Sequence, residues 1–394
     1  MLLFDATHTS HTRAQTGIQR VCRNLFEELS STGKATAVCY DPYLSGWRTL
    51  RPDELAVLRD RNGGAGKSRG SKWSLSQKIS GATARWRHAK PLLPDNSGFI
   101  CPELFSAKVG GRLREIFPVI RGPKVAIFYD AIPLKLPELT PAGTVARMPA
   151  YLRELLQFDG VAAISADSAA SLRDYWQWLG EKNVPPVQSI PLAVDPLSPT
   201  LVTAAPERPP DCLPRILSVG TIEGRKNHLA FLQAAAALWD AGVKFELQLL
   251  GLARPDTAKP ALDLIASLQH AGRPLLYEGS VTDERLHAAY RECSFTVYPS
   301  LIEGFGLPVL ESLQHGRPCI CSARGALAES AIGGGCIALA SVDAKSLASA
   351  MRSLLENPGD LADLAVAARG RKLQSWNGYA NALVSWMQTL TPRR

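Results

Sequence analysis

Short aliphatic runs alternate with helical patterns along most of this chain, and that alternation is the mark of βαβ units and parallel sheets. Leu2-Leu3-Phe4 reads as a buried strand leading into a helix with Ile18, Val21, Leu25 and Leu29 on one face. Thr36–Cys39, Val125–Phe128 and Val161–Ile164 read as further strands, and Asp167–Trp178 as a helix with Ser165 and Ser168 as candidate caps. The pattern breaks at Pro185-Pro186 and again between Pro196 and Pro214, where Pro199, Pro206, Pro209 and Pro210 crowd a stretch without periodicity. It restarts with Ile216–Val219, a helix over Asn227–Trp239 ended by Gly242, and the alternating strand Phe245, Leu247, Leu249. The expectation is two α/β domains: 1–195, then a linker over 196–214, then 215–375, followed by an amphipathic C-terminal helix in 376–394. A length of 394 residues fits that division.

With 46% hydrophobic and 20% charged residues, the composition is that of a folded chain. Its apolar runs are too short for a membrane span, and Asp5 interrupts the apolar start before a signal segment can develop. A cytoplasmic protein is expected. The eight cysteines form no Cys-x-x-Cys pair, so they read as reduced, mostly buried thiols, with no metal site and no resident cofactor. The net charge of +8 is concentrated between Arg61 and Lys90, where Arg61, Lys67, Arg69, Lys72, Lys78, Arg85, Arg87 and Lys90 meet no acid. A localised basic insertion carrying Trp73 and Trp86 suits an anionic membrane surface and argues against nucleic acid, which asks for basic residues spread over a face; a merely solvated loop is the alternative. Gly63–Ser68 imitates the end of a P-loop, but Arg61 stands where the first glycine must be and no strand precedes it.

Two turns in the second half carry chemistry. Gly220-Thr221-Ile222-Glu223-Gly224-Arg225-Lys226-Asn227 leaves a buried strand and enters a helix, at the edge of a parallel sheet where ligands bind. Cations at a helix start oppose the dipole; an anion such as a diphosphate between them and the amides removes the conflict. The second turn, Tyr298 to Glu311, passes through Gly304 and Gly306 into a helix with Pro308 in its first turn. Its glycines admit a ligand close to the backbone. Glu303 sits in the loop, and Glu311 one turn into the helix, where a carboxylate can either accept hydrogen bonds from vicinal ribose hydroxyls or simply complement the dipole.

The run Glu303-Gly-Phe-Gly-Leu-Pro-Val-Leu-Glu311 resembles the signature of the family 4 retaining glycosyltransferases of the GT-B fold. Ser218-Val219-Gly220-Thr221 with Arg225-Lys226-Asn227 resembles their phosphate-binding turn, particularly in bacterial mannosyl and O-antigen transferases. Gly279-Ser280-Val281 with Asp283 and Leu286, and Pro318–Ser322 with Gly325 and Glu329, continue the likeness; Thr16–Arg20, Asp130–Leu134 and Ile164-Ser165 extend it more weakly into the first domain. The resemblance implies two Rossmann-like domains facing a cleft, with the C-terminal helix returning to the first. It implies that Arg225 and Lys226 hold a donor diphosphate, that Glu303 contacts the donor sugar, that amides of Phe305, Gly306 and Leu307 contact sugar and phosphate, and that Glu311 binds ribose. Asp130 joins the catalytic group, and Gly17, Gly220, Thr221 and Leu286 the donor site.

Two departures stand out. Thr221 occupies a position where family members often carry an arginine, and Tyr129 one where they often carry a histidine. His8, His11, Arg13 and Tyr129 are candidates for the acceptor side. With no Asp-x-Asp triplet to bind a metal-diphosphate, the two cations are expected to serve without a divalent ion. The implied activity is retaining, metal-independent hexose transfer from a nucleotide diphosphate sugar, GDP-mannose first, to a glycan or lipid-linked glycan of the cell surface. It would take place in the cytoplasm, peripherally at the plasma membrane. The alternative is a non-catalytic subunit that binds nucleotide or glycan in an assembly complex.

Overall fold

Leu3 and Phe4 are wholly inaccessible, in an interior strand of a mostly parallel sheet. A computed structural model describes residues 1–60, 70–88, 92–195, 197 and 212–393. Most of the expected linker, the P-loop imitation Gly63–Ser68, and the cations Arg61, Lys67, Arg69 and Lys90 lie outside the described residues. The chain divides into two units, Met1–Leu134 with Ala142–Ala193 and Ser375–Arg394, and Lys135–Pro141 with Val194–Gln374.

The first unit has the strands β1 (Leu2–Asp5), β2 (Ala35–Asp41), β3 (Gly46–Thr49), β4 (Gly98–Cys101), β5 (Lys124–Phe128), β6 (Gly160–Ala163) and β7 (Val187–Ser189), in the order β3-β2-β1-β4-β5-β6-β7. All pairs are parallel except β2 with β3. Neither β3 nor β4 stands out in the periodicity; each is a four-residue segment opened by a glycine. The helix Ala166–Trp178 is capped as expected from its sequence, with the Ser165 hydroxyl accepting from the Ser168 amide at 3.0 Å. The C-terminal helix Trp376–Gln388 belongs to this unit; it packs on the helix Gly17–Ser31 and buries Tyr379 and Leu383. Part of the basic insertion is a helix, Leu75–Trp86.

The second unit is a six-stranded, all-parallel sheet ordered β10-β9-β8-β11-β12-β13. Its strands are β8 (Arg215–Val219), β9 (Glu246–Leu250), β10 (Leu275–Tyr277), β11 (Phe295–Tyr298), β12 (Cys319–Ser322) and β13 (Cys336–Leu339). Phe231, Phe245, Leu247, Phe295 and Ile320 fill its core between sheet and helices, the both-faces burial that parallel sheets require. All eight cysteines are free. Among the described residues no helix is long and apolar enough to cross a membrane, and no cluster of three His, Cys, Asp or Glu side chains could hold a metal ion.

Candidate functional site

The strand order of the second sheet reverses between β8 and β11, since the chain runs from β8 to β9 on one side and later returns to β11 on the other. At such a switch point the turns leaving the two strands part and open a crevice at their C-terminal ends. Both turns singled out from the sequence emerge there, and the Leu301 amide ties them together by donating to the Arg225 carbonyl at 2.9 Å. The first turn is laid directly on the end of β9. A Cβ on Gly251, which has φ +144°, would fall 2.0 Å from the Gly220 oxygen, so only glycine permits this approach.

Arg225 and Lys226 lie in a short 3-10 turn, Gly224–Lys226, ahead of the helix His228–Asp240. Asn227 occupies the cap position in the left-handed region, φ +57°. Its side chain does not cap the helix: Nδ2 donates instead to the Val342 carbonyl at 2.8 Å.

A chain of ion pairs runs through the crevice. Arg254 Nε stands 3.4 Å from Glu223 Oε2, Glu223 Oε1 2.7 Å from Arg225 Nη2, Arg225 Nη1 3.0 Å from Glu303 Oε2, and Glu303 Oε1 2.5 Å from Lys226 Nζ. The Tyr298 hydroxyl donates to Glu303 Oε1 at 2.9 Å and also meets Lys226 Nζ. Glu223, Lys226 and Glu303 are buried. Burial opposes ionisation of Glu303, but Lys226 and Arg225 outweigh it and hold the carboxyl down to about 2. Burial also draws the Lys226 ammonium below the ordinary lysine range. His228, buried beside Lys226, is pushed down to about 3 by desolvation and that neighbouring charge, and is neutral. Three cations against two carboxylates leave this network one positive charge in excess. Glu223, Arg254, Tyr298 and His228 were not singled out from sequence; Glu223 lies inside the motif, but Arg254 follows a different strand and carries no local signal.

The second turn ends at Gly306, φ +109°, where a Cβ would approach Leu327 Cδ2 and Ser330 Oγ to 3.0 Å. Ser330 Oγ donates to the Phe305 carbonyl at 2.8 Å, which anchors the loop at the start of the helix Leu307–Gln314. On that helix Glu311 Oε2 accepts from the Tyr290 hydroxyl at 3.1 Å, and Tyr290 stacks on His315, ring centres 4.8 Å apart. Leu286, one turn before Tyr290, is half-buried against a cluster that contains Leu217 and Leu250. Thr221 lies in the first turn, half-buried.

The other expected site residues belong to the first unit. Gly17 begins the helix Gly17–Ser31 with open space where a Cβ would be. Asp130 Oδ1 accepts from the Ile132 amide at 3.0 Å. His8 is half-buried, its amide bonded to Glu103, and Arg13 is exposed.

His11 and Tyr129 require correction as acceptor-side groups, because both are spent inside the fold. His11 is buried, 3.1 Å from Glu54 Oε1 through Nε2 and stacked on Trp73 at 3.7 Å, while Arg48 grips the same Glu54 through two 2.7 Å contacts. Tyr129 is buried, and its hydroxyl donates to the Pro102 carbonyl at 2.6 Å.

The first sheet has its own reversal, between β1 and β4, and a buried acid pair that the sequence reading passed over sits there. Asp5 ends β1, and Glu103 follows β4 and accepts from the amides of His8 and Thr9 at 2.7 and 2.6 Å. Burial, and then the charge of Glu103, push Asp5 up to about 7; burial raises Glu103 as well.

Residues 213–357 match the profile of the family described as "Glycosyl transferases group 1", and the second unit carries that domain. The chain is 25% identical over 337 residues to the serotype-specific mannosyltransferase WbdA of Escherichia coli, covering 81% of this chain and 38% of that protein. It thus spans well under half the length of that relative. It is 34% identical to O-antigen chain mannosyltransferase B of Escherichia coli over 132 residues, 30% of this chain and 33% of that one. Among solved structures it is similar to sucrose-phosphate synthase from Thermosynechococcus elongatus, with TM-score 0.67, 20% identity and 98% of each chain covered. Anabaena HepE in complex with UDP-glucose superposes with TM-score 0.67 at 13% identity over 99% of each. Two Rossmann-like parallel-sheet domains, the GT-B type, are the fold that this chain shares with these glycosyltransferases.

Proposed function

We propose that this chain is a retaining, metal-independent hexosyltransferase that takes a nucleotide diphosphate sugar, GDP-mannose first, and transfers the sugar to a glycan or lipid-linked glycan acceptor at the cytoplasmic face of the membrane. The observation that carries the reading is the Arg225–Glu303–Lys226 cluster, with Glu303 and Lys226 buried, at the switch point of a glycosyl transferases group 1 domain. Departure of a nucleoside diphosphate leaves a cationic sugar and builds negative charge on the phosphates, and cations held in place beforehand stabilise that charge without reorganising. With the diphosphate against Arg225 and Lys226, Glu303 is released from part of its pairing and can accept hydrogen bonds from sugar hydroxyls. Glu311 would then accept from the ribose hydroxyls, and the likeness to two mannosyltransferases is what favours mannose.

Calorimetric titration with GDP and UDP in EDTA, followed by the anomeric NMR signal of the product made from GDP-mannose, tests each part. GDP should bind without metal, and the new linkage should keep the donor's anomeric configuration. Binding only with added magnesium would remove the metal-independent part, consumption of UDP-sugars alone would remove mannose, and an inverted product would remove retention. A second reading, a subunit that binds nucleotide without turning it over, is favoured by one observation: Tyr129 is buried and its hydroxyl proton is committed to the Pro102 carbonyl. Tight GDP binding with neither transfer nor hydrolysis would select it.

The Tyr290–Glu311 contact yields a separate expectation. Tyr290→Phe removes the donor that orients the carboxylate and should weaken GDP by about tenfold, the worth of one hydrogen bond to a charged group. Toward 2′,3′-dideoxy-GDP, which gives Glu311 nothing to hold, wild type and variant should bind alike. An equal loss for both nucleotides would make Tyr290 a packing residue only.

A further inference from the structure

The helix Leu75–Trp86 is built the wrong way round for a surface helix, which normally turns its apolar stripe to the core. Its inward side is Gln77 and Gly81. Gln77 Nε2 donates to Asp53 Oδ2 at 3.0 Å and to Glu54 Oε1 at 3.2 Å. Gly81 lies so close to the chain after β2 that a Cβ there would come within 2.8 Å of Tyr43 Cβ and 3.1 Å of the Leu44 nitrogen. The outward side carries Leu75, Ile79, Ala82 and Trp86, which at 100° per residue fall within an arc of roughly 60°. Leu75 is 73% exposed, Ile79 58% and Trp86 80%.

The helix does not depend on burying those side chains. A capping box starts it: the Ser74 hydroxyl accepts from the Gln77 amide at 3.2 Å, and Gln77 Oε1 accepts from the Ser74 amide at 2.7 Å. Lys78 and Arg85 flank the ridge on one side, Lys72 and Arg87 stand beyond its two ends, and no acidic residue lies between 70 and 88. All four cations are exposed.

An apolar ridge edged by a tryptophan and by long cationic side chains matches a helix lying in the plane of a bilayer interface. There the ridge enters the headgroup layer, and the cations reach the phosphates. A second copy seated antiparallel on the ridge would set Lys78 and Arg85 against their own counterparts, which like charge disfavours.

We propose that the helix Leu75–Trp86 docks this unit onto an anionic lipid bilayer, with Leu75, Ile79 and Trp86 inserted among the headgroups and Lys72, Lys78, Arg85 and Arg87 on their phosphates. The docking needs no nucleotide, so it is tested apart from the transferase reading. The experiment is flotation of the full chain with phosphatidylcholine vesicles, with and without phosphatidylglycerol, at low and high salt. Wild type should float only with the anionic vesicles and detach in high salt. Ile79→Ser/Trp86→Ser and Lys78→Glu/Arg85→Glu should each lower the partition coefficient by at least about tenfold while the melting temperature stays unchanged, since the altered side chains are exposed. Absence of flotation in wild type, equal flotation with neutral vesicles, or undiminished flotation of both double variants would overturn the proposal. So would lipid-free self-association abolished by Ile79→Ser/Trp86→Ser without any flotation, which would make the ridge a contact between copies.

Discussion

Lys226→Ala is expected to weaken metal-free GDP binding by at least about 100-fold, because it removes the buried charge proposed to hold the diphosphate and takes one of two cations from Glu303. Glu303 Oε1 and the Tyr298 hydroxyl both converge on that ammonium. With it gone, Arg225 is the one remaining cation on Glu303, whose carboxyl should rise from about 2 toward the ordinary carboxylate range. Stability should fall too, by less than the roughly 3 kcal/mol that stranding a buried charge costs, since Arg225 and the Tyr298 hydroxyl still hold the carboxylate.

A double variant separates the two losses. Adding Glu303→Gln to Lys226→Ala removes the half-paired carboxylate and should recover part of the stability, while GDP binding stays lost. If nucleotide binding returned with stability, Lys226 would act only by holding Glu303 in place, and the diphosphate would have to rest on Arg225 and its neighbours. The control is Arg254→Ala, at the outer end of the same network and joined to it through Glu223; it should lower affinity several-fold less than Lys226→Ala.

The second large effect concerns the acid pair of the first sheet. Asp5 is wholly buried, and its folded-state ionisation sits near 7 against 3.8 for the free side chain. Between those values the folded chain holds a proton that the unfolded chain has released, so stability falls as pH rises through about 4 to 7 and levels off above that window. The groups around it fit this sign: Glu103 adds like charge, and the Thr7 amide, the Thr7 hydroxyl and the Cys101 thiol only partly offset burial.

Asp5→Asn keeps an oxygen for Thr7 and removes the titration. It should flatten the dependence and leave the variant more stable than wild type at pH 8, by on the order of 2–4 kcal/mol. Glu103→Gln should flatten it only in part, since burial is the larger cause of the rise at Asp5 and the Glu103 charge the smaller. Thermal melts from pH 4 to 8 decide the matter: parallel curves for wild type and Asp5→Asn would show that Asp5 is ionised at no cost in the folded state.

The acid pair leaves no local mark in the sequence. Asp5 closes an apolar run and reads as the polar end of a strand, and Glu103 looks like any loop acid; nothing in 97 intervening positions brings them together until β4 pairs beside β1. His11 failed in the opposite direction. A histidine near a glycine loop invites a ligand, yet its partner Glu54 lies 43 residues away and already belongs to Arg48, so the imidazole completes a buried polar cluster. The ridge on Leu75–Trp86 was half legible: its charge was plain, but amphipathic spacing alone does not say which side of a helix meets the protein.

The adjacent cations Arg225 and Lys226, Glu303, the glycines of the two turns and the alternation that makes parallel sheets all stand out in the sequence, because each rests on neighbours a few residues apart: a strand followed by a turn, a turn followed by a helix. Strand order is not of that kind. It decides that β8 and β11 lie side by side, and so brings Lys226 to Glu303 across 77 residues, with Tyr298 between them and Arg254 at the rim. Periodicity states what each segment can become, whereas the charge balance of a buried site depends on which segments the sheet sets next to one another. Only the tertiary structure carries that information.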